Sequence, residues 1–183
     1  MARLLLLITI VAFLVAGCAA LANHFSGRGV ISETKSETDD SEVIEVSGNN
    51  VLSNGGMSSF GGAMLGARWE SITPEIVYIT VTYASSANGD PIIIEFDELR
   101  INLNGSVSSF HPVEPGILIM RLAYLESMLA ANECTVQLVR GGTITEGDFT
   151  IESDDGKRTA KASLQRFYDK VRATMAERLT RQI

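Results

Sequence analysis

Nineteen consecutive uncharged residues, Leu4 to Ala22, constrain the architecture of this chain more than any later stretch. Arg3 is the only basic residue ahead of them, and no acidic residue occurs before Glu33. A short basic start followed by an apolar run, here Leu4 to Phe13, has the layout of a secretion signal. The same nineteen residues are long enough to cross a bilayer as an uncleaved helix. Ala20-Leu21-Ala22 also has the small-x-small form of an ordinary cleavage site, which would release a soluble product.

A third outcome is carried by Leu14-Val15-Ala16-Gly17-Cys18. Small residues directly before a cysteine, at the end of an apolar run, resemble the lipobox of bacterial lipoproteins. In that family the cysteine is thioether-linked to diacylglycerol, freed by signal peptidase II and then often N-acylated, palmitate being a typical chain. Val15 stands where the family usually has Leu, and lipoboxes accept Val there. The resemblance covers about the first twenty residues. It implies that residues 1–17 are a signal peptide, that Cys18 is the lipidated first mature residue, and that the protein is anchored in the cell envelope facing the periplasm. Ala19, not Asp, follows Cys18, which by the same resemblance favours the outer membrane. Each buried acyl methylene contributes about 0.8 kcal/mol and stable anchoring takes roughly two chains, which a diacylglyceryl cysteine supplies.

Without residues 1–17 the chain carries a net charge of −8. Nucleic acid, which is held through counterion release by basic surfaces, is not an expected partner. With Cys18 acylated, Cys134 is the only remaining thiol, so an internal disulfide is excluded. Cys134, Val136 and Leu138 share one face of a strand, which predicts a buried, inert cysteine.

Residues 18–66 read as a lipidated start followed by a tether. From Ile31 to Asn50, Glu33, Glu37, Asp39, Asp40, Glu42 and Glu45 face a single Lys35, and Gly, Ser and Asn dominate from Ser47 to Gly62. Such composition buries too little apolar surface to offset chain entropy. As a coil, the 44 residues from Asn23 to Gly66 would span roughly 35 Å, at about 5–6 Å times the square root of length. Val43-Ile44-Glu45-Val46 is the exception, apolar enough to add an edge strand.

Residues 67–183 are expected to form one globular α+β domain: a mainly antiparallel sheet of about five to six strands, a short helix and a long C-terminal helix. Ile76 to Tyr83 alternates as a strand and, across the turn at Asn88-Gly89, pairs with Ile92 to Phe96. Leu99 to Leu103 and Ser106 to Phe110 flank Asn104-Gly105, the favoured dipeptide of a type I′ hairpin. Leu122, Leu125, Met128 and Leu129 predict a helix over 121–131, while Ile117 to Met120 fits either its first turn or an extended lead-in. Strands are expected near 135–140 and 148–152. The last helix carries the stripe Leu164, Phe167, Tyr168, Val171, Met175 and Leu179.

Reactive groups are sparse. His24 and His111 belong to no spaced ligand set, and no metal or cofactor is expected. Glu152, Asp154 and Asp155 before Gly156 do not form a calcium loop, because Ile151 would occupy the first ligand position. Gly61 to Gly66 lacks the Lys-Ser/Thr of a phosphate loop. From Lys157 to the end, eight basic residues face only Asp169 and Glu177, for a local charge of +6. The reading that follows is a membrane-anchored envelope lipoprotein, a non-enzymatic accessory or interaction module meeting an envelope protein partner. Two rivals stand beside it: a small hydrolase using Asp97 or Glu98 with His111, and a membrane-surface binder through Arg166, Lys170 and Arg172.

Overall fold

The computed structural model describes residues 28–36, 39–51, 62–83, 92–151 and 159–181. Cys18 and the rest of the lipobox, His24, Glu152 and the Asp154-Asp155-Gly156 turn lie outside the described residues.

The described chain forms strands β1 (Ile31–Lys35), β2 (Glu42–Asn50), β3 (Ala63–Glu70), β4 (Ile76–Tyr83), β5 (Ile92–Ile93), β6 (Glu98–Leu103), β7 (Ser106–Phe110) and β8 (Ile117–Arg121). Helix α1 (Leu122–Ala130), strands β9 (Cys134–Arg140) and β10 (Thr143–Asp148), and helix α2 (Ala160–Arg181) complete it. The fold is α+β with antiparallel pairing throughout. A six-stranded sheet runs β1-β2-β3-β4, with β5 and β8 both pairing β4, and a second sheet runs β10-β9-β6-β7.

Alternation explains which faces meet. Val77, Ile79 and Val81 lie opposite Trp69, Ala67 and Leu65 on β3, and Met120 and Leu118 on β8 continue the rows. All eight are buried. On the smaller sheet Leu99 and Ile101 pair with Leu138 and Val136, again buried. Both inner faces and the apolar stripes of α1 and α2 join one core, with Trp69, Phe149 and Phe167 fully enclosed. Taking such a side chain out of water stabilises the fold by about 1.5–3 kcal/mol each. Helix α2 lies over β2 and β3 and buries Leu164, Phe167, Tyr168 and Val171. The stripe ends earlier than its spacing suggests: Leu179 is 65% exposed, one turn past the partly buried Met175.

Several expectations hold. Asn104 and Gly105 have φ of 49° and 89°, as a type I′ turn demands. Helix α1 starts and stops within a residue of the predicted span. Ile117 to Met120 is extended, because β8 fills the edge of β4. The last hairpin is displaced: its return strand is 143–148, since Gly141 and Gly142, at φ 53° and 78°, make a two-residue turn and the chain reverses at once.

The largest correction concerns the tether. Residues 31–35, 42–50 and 63–66 are strands, so the folded part reaches back to Arg28-Gly29 instead of starting at residue 67. Val43 to Val46 is no edge, since β2 sits between β1 and β3. The Gly/Asn-rich half of β2 is there for closeness. A Cβ on Gly66 would lie 2.6 Å from the Val46 carbonyl oxygen and 2.6 Å from Thr80 Oγ1, and one on Gly48 would lie 3.0 Å from Met64 Cβ. A register shift between Val46 and Asn49 turns the Asn49 side chain toward α2, where its Nδ2 donates to Ser163 Oγ at 2.8 Å.

Candidate functional site

The polar residues suggested by the sequence gather on the outer face of the four-stranded sheet. The alternation that sends Leu99 and Ile101 inward sends Glu98, Arg100 and Asn102 outward. Register sets Arg100 opposite Ser109 on β7 and Gln137 on β9, and Gln137 opposite Glu146 on β10. Leu99 pairs with Phe110, so Glu98 stands across from His111, just beyond the end of β7. The structure therefore brings Glu98 and His111 together, and Asp97 beside them.

Their bonds show what each can do. Glu98 Oε2 accepts from Arg100 Nε at 2.8 Å and lies 2.7 Å from Arg100 Nη2. The hydrogen bond from Arg100, with a second from Ser109, holds the Glu98 carboxyl below the ordinary range, so it stays ionised and is a poor proton donor. The Arg100 guanidinium is in turn held charged by Glu98. Asp97 is a brace: its Oδ2 accepts the Gly141 amide at 2.7 Å and its amide donates to the Val139 carbonyl at 2.9 Å. His111 is exposed, with Nδ1 3.1 Å from the Asp97 carbonyl oxygen. Since a carbonyl only accepts, that bond requires a hydrogen on Nδ1.

Glu98, Arg100 and Gln137 are half-buried on this face, and Ser109, His111 and Glu146 are exposed. A groove of about 560 Å³ opens elsewhere, lined by Ile76, Phe110, Ile119, Met120 and Tyr124 with Glu75 and Arg121, and it includes neither Glu98 nor His111. Phe110 and Tyr124 meet edge to face there, 5.0 Å between ring centres. Among the described residues no three of His, Cys, Asp and Glu lie close enough to hold a metal ion. Sequence reasoning named Asp97, Glu98 and His111 but missed Arg100, Ser109, Gln137 and Glu146. Strict alternation along 99–103 already placed Arg100 outward; which strands would flank it was not readable.

Cys134 is buried at the start of β9, and burial pushes its thiol up to about 12, far from thiolate chemistry at neutral pH. The basic helix is largely engaged. Lys170 Nζ lies 3.0 Å from Glu33 Oε1, Arg178 3.7 Å from Glu42, and Arg166 Nη2 donates to the Gly29 carbonyl at 3.1 Å. Two of the acidic residues expected in a tether, Glu33 on β1 and Glu42 on β2, are thus partners of the basic helix, whereas Glu45 pairs with Arg68 and Asp40 with Lys35. Among the described residues no helix is long and apolar enough to cross a membrane. Scans against protein-family models, curated proteins and solved structures found no match to this chain.

Proposed function

We propose that this chain is an envelope lipoprotein, cleaved before Cys18 and held to the membrane by acyl chains on that residue, with its domain serving as a non-enzymatic accessory or binding module. The observation that carries the proposal is the stretch from Arg3 through the apolar run to Val15-Ala16-Gly17-Cys18. Two features support it. Cys134 is enclosed, leaving Cys18 as the thiol available for modification. Among the described residues, Glu98 and His111 are braced by Arg100 and by backbone bonds on an exposed sheet face, an arrangement suited to contact more than to turnover.

Mass analysis of the mature N-terminal peptide tests the reading. The expected result is a peptide beginning at Cys18 and carrying a diacylglyceryl group. A Cys18→Ala variant is expected to leave the membrane fraction. An unmodified Cys18, or a variant that still sediments with membranes after alkaline washing, would overturn the proposal in favour of secretion or of an uncleaved helix.

A further inference from the structure

The chain enters the fold at a fixed point. Val30 exchanges bonds with Ser47, its amide donating to Ser47 Oγ at 2.9 Å and its carbonyl accepting from the Ser47 amide at 3.0 Å. Gly29 is pressed against α2, where a Cβ would lie 2.3 Å from Ser163 Oγ, and its carbonyl accepts from Arg166. From Cys18 to Arg28 there are ten peptide steps, and a chain of that length reaches at most about 36 Å. That is close to the length of α2 itself, about 33 Å for 22 residues at 1.5 Å each. An anchor at Cys18 therefore holds Arg28 within about 36 Å of the bilayer at full extension, close enough for contact but too loose to fix by itself which end of the domain turns inward.

The cations at that end differ from most others in the molecule. Lys35, Arg68, Arg100, Lys170, Arg178 and Arg181 each lie within ion-pair distance of a carboxylate. Among the described residues, Arg121 and Arg172 make no such pair but line one groove with Glu75 and Glu126, and Arg140 stands unpaired at the end of β9. Arg28 and Arg166 are exposed and have no carboxylate partner among the described residues; the bond from Arg166 to Gly29 leaves its charge uncompensated. In a chain of net charge −8 without residues 1–17, two uncompensated arginines flank the point where the anchored chain enters.

We propose that the surface formed by Arg28 and Arg166 faces the membrane and binds anionic phospholipid headgroups, an inference that rests on acylation of Cys18. The anchor confines the domain to a thin layer over the bilayer, where local concentration is high, and the arginines set which end turns inward. Contact is expected to weaken with salt, since headgroup attraction fades beyond a Debye length of about 8 Å at physiological ionic strength.

The acylated full-length protein in phosphatidylcholine vesicles, with and without phosphatidylglycerol, tests this. A fluorophore is placed at Gln165→Cys, one residue from Arg166, or at Thr180→Cys, about 22 Å away along the helix at 1.5 Å per residue; acylated Cys18 and buried Cys134 do not take the label. Quenching by a nitroxide on the lipid headgroup is expected to be at least about twofold stronger at 165 than at 180 in anionic vesicles. Arg28→Glu and Arg166→Gln, each checked for a native circular dichroism spectrum, are expected to remove that difference. Equal quenching at both positions, or a difference that survives both substitutions, overturns the inference while the protein still floats with the vesicles. An unmodified Cys18 by mass overturns the anchor and this inference together.

Discussion

Gly66→Ala puts the placement of β2 and β3 to a severe test. A Cβ at 66 would meet the Val46 carbonyl oxygen at 2.6 Å, Thr80 Oγ1 at 2.6 Å and the Gly48 amide nitrogen at 3.0 Å. Two of these three atoms are backbone of β2, so no rotamer change relieves them, and the strands must part by roughly half an ångström or more to reach ordinary contact. Overpacking of this kind costs about 1–3 kcal/mol. With a urea dependence of about 2 kcal/mol per molar, the midpoint should fall by roughly 0.5–1.5 M with slope unchanged. Trp69, the single tryptophan and fully buried, reports the transition by fluorescence, with far-ultraviolet circular dichroism as a second probe. In a flexible Gly-rich tether the same substitution would be neutral or would stabilise by up to about 1 kcal/mol, through loss of unfolded-state entropy. Gly105→Asn is the control, having nothing within 4 Å and a positive φ that Asn tolerates. An unchanged or raised midpoint for Gly66→Ala would refute the close approach of β2 to β3.

Other consequences can be measured in the same way. Phe167→Ala empties a fully buried site on α2 and should cost about 3–5 kcal/mol, seen as loss of the cooperative thermal transition or a large drop in its midpoint. Asn49→Ala removes the buried bond to Ser163 and should cost about 1–3 kcal/mol; a double-mutant cycle with Ser163→Ala that shows no coupling would contradict that contact. The Glu98 carboxyl is depressed in the fold by Arg100, so its contribution is complete above its ordinary value of 4.5 and is lost as pH falls below it. Glu98→Gln should therefore flatten the acid limb of the stability curve and leave the alkaline limb unchanged, as followed by urea midpoints against pH. Cys134, its thiol pushed up to about 12 by burial, should resist a disulfide reagent at neutral pH until the protein unfolds; rapid labelling of native protein would contradict its burial.

Much of the fold was written locally. Where one face of an element is buried and the other wet, side chains alternate with period 2 or 3.6, and a short window suffices: Ile76 to Tyr83, Leu99 to Leu103, and the stripe from Leu164 to Val171 on α2 all follow this rule. The Asn104-Gly105 hairpin was equally legible, because positive φ at both positions narrows the choice of residues. The outward set Glu98 and Arg100 followed from the same alternation. That Ser109, Gln137 and His111 would flank them depended on strand order.

The sequence by itself determined the lipobox-like start, the twofold hydrophobic periods and the enclosed Cys134. Tertiary structure decided the rest. Ser47-Gly48-Asn49-Asn50 looks like linker because glycine and asparagine are poor strand formers, yet β2 needs residues that let Val46 and Gly66 backbones nearly touch and that reach Ser163 on the helix. Ile117 to Arg121 became a strand only because β4 offered an open edge some forty residues earlier in the chain. The acidic run around Glu33 and Glu42 reads as solvated charge until α2 brings Lys170 and Arg178 across it. Each of these depends on a partner distant in sequence, and composition within a window carries no record of what will be packed against it.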